Sequence, residues 1–381
     1  MGRTDEEDPW RDGEDEHTQR QAVTDRGSDI TELSLSSVHE GDDRVKKDDA
    51  CEDGHIVHSV GQLLKGRYQV VCVLGEGAFG KVLECIDRNT GECVAVKVVK
   101  NLECFQESGR SEVAVLQEIN QLDDEHVFGC VRMLDWFDHQ GHVCLVLELL
   151  GMNTFTFIQQ NHQRPFTVTD IRHMAYTLCR AVCFLHRHRL THTDVKPENI
   201  LLVSSDCDSQ RKLKCLDVKL VDFGTATFDH QHHQSVVSTR HYRAPEIILD
   251  LGWNQSCDVW SLGCVLMEFY LGRTLFPTHD SHEHLAMMEK ILGPIPTHLL
   301  QQTRKQQYVS QGRLMWDDSN CSDHYNQCEP LKNHMSERAE EEELRHLLDL
   351  ISLMLEYDVT HRISLQEALW HPFFNAARAQ R

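Results

Sequence analysis

His192-Thr193-Asp194-Val195-Lys196-Pro197-Glu198-Asn199 is the stretch on which the reading of this chain turns. Few loops gather so much chemistry in eight residues. Asp194 can accept a proton from an attacking hydroxyl, Lys196 can hold a phosphoryl oxygen, and the Asn199 amide can ligate a metal ion. Two more strings follow in order. Asp222-Phe223-Gly224 begins 23 residues after Asn199, and Ala244-Pro245-Glu246 begins 20 residues after Gly224. Such strings in a fixed order are hard to obtain by chance.

Upstream, Gly75-Glu76-Gly77-Ala78-Phe79-Gly80 separates two apolar strings, Tyr68–Leu74 and Lys81–Ile86, which read as strands around a tight turn. Glycines let a backbone approach phosphates closely, and Phe79 at the tip can cover them. No helix follows, which argues against a dinucleotide-binding fold and leaves an ordinary hairpin as the plain alternative. Val94–Val99 is a third strand, and Lys97 within it is a lone charge, costly unless paired. Glu112, 15 residues on, is its natural partner. It falls on a helix expected over Ser111–Leu122, with Val115, Ile119 and Leu122 on one face. Val143–Leu149 reads as one more buried strand.

Beyond Gly151 the pattern turns helical. The spacing predicts a helix over Thr169–Arg187, capped by Thr169 or Asp170, with Ile171, Met174, Leu178, Val182 and Leu185 inward. Val259–Leu271 is nearly all apolar, as a helix at the centre of a lobe would be. Leu344–Leu355 and Ser364–Leu369 extend the helical part, and residues 317–337 read as a polar surface excursion. The fold class expected is α+β, a small sheet-rich lobe followed by a larger helical one.

The 381 residues carry a formal charge of −22, and residues 1–60 alone hold 18 Asp/Glu against 7 Lys/Arg. That segment has too little apolar surface to offset chain entropy and is expected to be disordered. Its acidity disfavours nucleic acid and favours a basic partner, or simply aids solubility. Fifteen cysteines occur at irregular spacing without a Cys-x-x-Cys pair, which reads as reduced thiols. Asp229-His230-Gln231-His232-His233 reads as a polar loop before a metal site. No run of 18 apolar residues exists, Met1–Trp10 is acidic, and Glu6 breaks a myristoylation pattern. A soluble, intracellular protein is expected.

With Asp-x-Lys-x-x-Asn, Asp-Phe-Gly and Ala-Pro-Glu in sequence, residues 66–375 resemble the eukaryotic protein-kinase catalytic domain, with Thr193 where most kinases carry Arg. A narrower sign is Glu283-His284-Leu285-Ala286-Met287-Met288-Glu289-Lys290. It resembles the signature of the LAMMER, or CDC-like, dual-specificity kinases, Lys290 replacing the usual final Arg. His192-Thr193-Asp194 and Ser238-Thr239-Arg240-His241-Tyr242-Arg243-Ala244-Pro245-Glu246 match the same group. The resemblance implies an acidic disordered tail over 1–65, an N-lobe over 66–149, a C-lobe over 150–375 and a C-terminal tail over 376–381. It implies ATP and Mg2+ as cofactors. Lys97, Glu112, Asp194 and Lys196 would be catalytic, and Asn199 and Asp222 would hold metal. Leu74, Gly75, Gly77, Gly80, Val82, Ala95, Lys97, Glu148, Leu150 and Leu201 would surround the nucleotide, with backbone groups of Glu148–Leu150 on the adenine edge. The implied activity is phosphorylation of serine and threonine, with autophosphorylation on tyrosine. The implied partners are basic Arg-Ser-rich splicing factors, met by a monomeric kinase in the nucleus, with neither direct nucleic-acid contact nor membrane. Glu198 is a candidate contact for such basic repeats. Two other readings stay open on sequence alone: a partner-binding pseudokinase, and a kinase of the DYRK-like or homeodomain-interacting groups.

Departures from the family pattern are informative. The acidic tail has no Arg-Ser repeats, which leaves the cytoplasm as a second compartment. The Leu202–Val218 segment is shorter than the family's hairpin insertion. Leu147 stands where the family has Phe behind the nucleotide, so ATP binding should be intact and the inner cavity wider. Inhibitor affinities of the native chain and Leu147→Phe should therefore differ, and matching profiles would refute the wider cavity. Thr193 removes the arginine that would hold an activation-segment phosphate. Substantial turnover is expected from phosphatase-treated protein, and its abolition by that treatment would overturn the expectation.

Overall fold

The computed structural model describes residues 54–208, 212–316, 322–336 and 342–379. Strands β1 (Leu63–Leu64), β2 (Tyr68–Gly77), β3 (Gly80–Asp87) and β4 (Cys93–Val99) precede helix α1 (Glu103–Leu122), and β5 (Met133–His139) and β6 (His142–Glu148) follow it. They form one antiparallel sheet in the order β1-β2-β3-β4-β6-β5. Alternation sorts its faces. Val70, Leu83, Cys85, Val94, Val96, Val98 and Val146 pack under one face with Tyr68 and Phe137, whose rings stack at 5.5 Å. On the other face Val99, Val143 and Leu145 meet Val113, Leu116 and Ile119 of α1.

Two local expectations are corrected here. The first strand does not stop before the glycines: pairing continues through Gly75↔Val82 and Gly77↔Gly80, leaving only Ala78 and Phe79 as the turn. Register shifts at Val70/Cys72 and Val73/Gly75 absorb the irregularity. Helix α1 starts at Glu103, not Ser111. Its first two turns are polar and contain Gly109, which hides the period. That glycine is there for packing, since a Cβ on it would sit 3.0 Å from a Val99 methyl of β4.

The chain then enters α2 (Thr154–Gln160), α3 (Val168–Arg187), β7 (Leu190–Thr191), β8 (Ile200–Leu202), β9 (Val218–Leu220) and β10 (Thr227–Phe228). The N-cap of α3 is Thr167, not Thr169 or Asp170. Its hydroxyl accepts the Asp170 N–H while the Asp170 carboxylate accepts the Thr167 N–H, a reciprocal capping box. The five residues expected inward on α3 are all buried. Next come α4 (Pro245–Ile248), α5 (Ser256–Leu271), α6 (Ser281–Leu292) and α7 (Thr297–Gln302). Helix α5 is buried nearly all round, packed against α3 and the helix over Glu342–Met354.

Residues 317–337 were expected as an excursion, and 317–321 and 337 lie outside the described residues. The remainder is not loose surface. It forms α8 (Asp323–Asn326) and α9 (Leu331–Ser336), pinned because Cys328 and Leu331 enter the main core and Lys290 donates to the Tyr325 carbonyl at 2.7 Å. Helices α10 (Glu342–Met354) and α11 (Leu365–Ala368) complete the packing. Residues 1–53 of the expected tail also lie outside the described residues. Its last part is packed rather than free: Ile56 is buried, and the Asn101 N–H donates to the Gly54 carbonyl. Among the described residues, no helix is long and apolar enough to cross a membrane.

The helical part closes on one buried ion pair. Arg362 donates to both carboxylate oxygens of Glu246 at 2.7 and 2.8 Å, and its guanidinium lies 5.2 Å from the Trp260 ring. Both side chains are almost wholly buried. Arg362→Met would leave Glu246 charged and unpaired, at a cost of about 3–5 kcal/mol. Urea denaturation checks this, and a loss below about 1 kcal/mol would show that the pair is not what holds α4 down.

Candidate active site

Each element delivers one group to the cleft. Lys97 leaves β4 opposite Val82 of β3, two residues from Ala95, so Ala95 and Lys97 share a face. Its ammonium donates to both oxygens of Glu112 on α1 and to Asp222 Oδ1, each at 2.8 Å. Burial pushes the Lys97 ammonium down, but the two carboxylates outweigh it and hold the pKa above its ordinary value. Burial likewise pushes the Asp222 carboxyl up, and Lys97 more than reverses this, so Asp222 is ionised. Three chain segments are thereby tied at one nitrogen. Phe79 turns inward from the glycine hairpin and meets Phe105 of α1 edge-on at 5.7 Å. The cleft below is lined by Phe79, Lys97, Glu112, Asp194, Asp222 and Thr225.

The second cluster is the loop that decided the reading. Lys196 Nζ lies 2.8 Å from Asp194 Oδ2, and Asn199 Nδ2 donates to the Asp194 carbonyl at 2.9 Å. Burial raises the Asp194 carboxyl, yet Lys196 and the donors from Thr239 bring it below the usual carboxylate range. A carboxylate so held is suited to accepting a hydrogen bond from a hydroxyl brought to it.

Sequence reasoning gave no role to two residues that build this cluster. Thr239 donates to Asp194 Oδ1 through its N–H at 2.9 Å and its hydroxyl at 2.7 Å, and accepts from Lys196 at 2.8 Å. It stood inside a quoted motif, but nothing in its identity announces that contact. Asp258, wholly buried in the first turn of α5, accepts the N–H groups of His192 and Thr193 at 2.8 Å each, and its Oδ2 is 3.0 Å from His186 Nε2. An aspartate at the start of an apolar helix was the available signal.

Thr193 itself is buried and left-handed, at φ +69°. Its hydroxyl donates to the Thr225 carbonyl at 3.0 Å, and its carbonyl accepts from Ser238 Oγ at 2.6 Å. Both ends of the segment from Asp222 to Ala244 are thus tied to the loop by neutral hydroxyls.

The remaining expected residues form the rim and the hinge. Leu74, Gly75 and Gly77 are exposed on the hairpin, and a Cβ on either glycine would meet nothing within 4 Å. Gly80 differs, because a Cβ there would collide with the Val98 carbonyl. The hairpin is therefore open on the side of Gly75 and Gly77. Leu201 lies on β8 opposite Lys219, and half-buried Leu147 pairs with Ala95 across the sheet. At the hinge the Glu148 N–H is not the backbone group of that residue left for an adenine edge, since it donates to the Arg132 carbonyl at 3.1 Å. Among the described residues, the N–H and C=O of Leu150 make no bond within the chain and remain for a ligand.

The donors present suit a hydrated cation shared with phosphates. The Asn199 NH2 is spent on Asp194, which leaves its Oδ1 and the Asp222 carboxylate as oxygen ligands. Among the described residues no group of three His, Cys, Asp or Glu side chains could hold a metal alone.

A family model described as the protein kinase domain matches residues 68–374. Dual specificity protein kinase CLK4 of Homo sapiens is 54% identical over 336 residues, 85% of this chain and 69% of CLK4. Dual specificity protein kinase CLK2 of Homo sapiens is 51% identical over 346 residues, 88% of this chain and 68% of CLK2. The serine/threonine-protein kinase Doa of Drosophila melanogaster is 48% identical over 347 residues, 87% of this chain but 41% of Doa. A crystal structure of a kinase domain superposes with a TM-score of 0.77 at 36% identity, covering 85% of this chain and 100% of that one. A cleft under a glycine hairpin, a paired lysine and an aspartate-bearing loop therefore have a family: the chain belongs to the protein kinases, ATP- and divalent-metal-using enzymes, and within them to the CDC-like (LAMMER) dual-specificity kinases.

Proposed function

We propose that this kinase phosphorylates serine and threonine in basic, Arg-Ser-rich splicing factors, and tyrosine in itself, with magnesium as the metal. The observation that supports the substrate class is at Glu198. Its Oε2 is buried without a hydrogen-bond partner, four residues from Asp194. Next to it, burial and the Glu198 charge raise the Glu268 carboxyl to about 7, although the Tyr242 hydroxyl donates to Glu268 at 2.8 Å. An unpaired carboxylate beside the acceptor site suits an incoming guanidinium, which brings several donors and keeps its charge when desolvated.

Bound Mg-ATP supplies the phosphoryl group and neutralises its charge; the chain does the positioning. Lys97, fixed by Glu112 and Asp222, points its ammonium at the phosphates. Asp222 and Asn199 Oδ1 would hold the metal, which would shield the phosphate charge. The Thr239 hydroxyl, a rotatable donor on Asp194, gives way to the acceptor hydroxyl. As the serine oxygen bonds to the γ-phosphorus and the bond to ADP breaks, the serine proton passes to Asp194. Lys196 beside it balances the charge. Residues 66–149 and 150–375 act as the two lobes of one monomer in the nucleus, with the cytoplasm as a second compartment because residues 1–65 carry no Arg-Ser repeats; the expected C-terminal tail over 376–381 begins instead inside a short helix, Asn375–Ala379.

Steady-state kinetics and phosphosite mapping on an Arg-Ser-rich protein test this reading. Glu198→Gln should raise KM for an Arg-Ser peptide roughly three- to tenfold with kcat little changed, the pattern of lost uniform binding. Because the Glu268 pKa is raised, that carboxyl is mostly protonated at pH 6 and ionised at pH 8. KM for the arginine peptide should accordingly fall over that range, while a peptide without arginine shows no such fall. Equal use of both peptides at every pH would sink the substrate assignment and leave the kinase activity standing.

A further inference from the structure

Lys219 is the middle residue of β9, three residues before Asp222. Its ammonium is 2.6 Å from Glu148 Oε1, and the same oxygen accepts the Arg132 N–H at 2.7 Å. The two side chains are only 16% and 25% exposed, so the pair is shielded from water and salt. With the Glu148 N–H on the Arg132 carbonyl, the last residue of β6 is fixed by three bonds.

The next fixed point is Gly151. Its N–H donates to the Leu202 carbonyl of β8 at 2.8 Å, and a Cβ there would crowd Ser205 and that carbonyl. Strands β8 and β9 are paired with each other. Leu149 and Leu150 are therefore bracketed at both ends by a single hairpin. That hairpin is itself tied to the chain entering β5, through Leu220 N–H to the Gly129 carbonyl at 2.8 Å and Val131 N–H to the Leu220 carbonyl at 2.9 Å.

We infer that Lys219 is a positioning residue for nucleotide binding: by clamping Glu148 onto β9 it sets the direction in which the Leu150 N–H and C=O meet the adenine edge. This rests on the assignment of Leu150 to adenine. Lys219 does not touch the nucleotide and acts only through Glu148. The chain runs on from this strand through Val221 to Asp222, so the adenine end and the metal end of the cleft are joined within four residues.

Hydrogen exchange on the ligand-free protein and direct ATP titration test it, with Lys219→Met and Lys219→Arg as variants. In Lys219→Met the amides of 149–151 should exchange faster. ATP dissociation constant and KM should rise roughly three- to tenfold, with kcat within about twofold, and Lys219→Arg should restore both. A folded Lys219→Met with native exchange and native ATP affinity overturns the inference, as does weakened affinity with unchanged hinge exchange. Should Lys219→Met fail to fold, Glu148→Gln removes the charge pair while keeping an acceptor for Arg132, and the same readouts decide. If ATP does not protect 149–151 in the native chain, the adenine assignment fails instead, whatever the variants do.

Discussion

A fully buried carboxylate bound by backbone amides organises the catalytic half of this molecule. Asp258 is fully buried at the start of α5, and two of its bonds come from the backbone N–H groups of His192 and Thr193. Those bonds offset the conformational cost of Thr193, a β-branched residue held left-handed, a state disfavoured by roughly 1–2 kcal/mol. Asp194 is the next residue, so its direction follows from the clamp. The His192 ring continues the connection: it lies 5.0 Å from Phe223, and its Nε2 is 3.1 Å from the Val221 carbonyl. Asp222 between them is also left-handed, at φ +64°. Two strained residues, each next to or identical with an aspartate of the cleft, are held by one rigid helix.

Charge is distributed differently on the two sides of the cleft. Lys97 serves two carboxylates from separate segments, so α1, β4 and the Asp-Phe-Gly segment are joined electrostatically. The segment after it is joined by hydroxyls, from Thr193 to Thr225 and from Ser238 to Thr193. Neutral bonds of this sort do not depend on a covalently added phosphate or on ionic strength.

Most of the site was legible because its residues sit in short loops whose spacing is fixed by the groups they hold. Lys97 could be paired with Glu112 on the cost of an unpaired charge in a strand. Helix α3 could be read from its period, and only its cap was misplaced by two residues, since Thr167 and Thr169 are equally good candidates by composition. Helix α1 was cut short because Gly109 and the polar turns before it carry no apolar period; their reason is the closeness of β4, a tertiary fact. Thr239 and Asp258 were opaque for a related cause. Their partners are backbone amides and a carboxylate brought near by folding, and no local pattern encodes such a meeting. The same holds for Glu148, whose N–H is consumed by Arg132 from a neighbouring strand.

The glycine hairpin carries two kinds of constraint in six residues. At Gly80 the backbone of β4 leaves no place for a side chain, whereas Gly75 and Gly77 look onto empty space. Selection for a folded chain would hence conserve one position, and selection for nucleotide use would conserve the other two. In a duplicate of this protein freed from catalysis, the first two glycines should drift well before the third, leaving in the hairpin a readable record of which demand was relaxed.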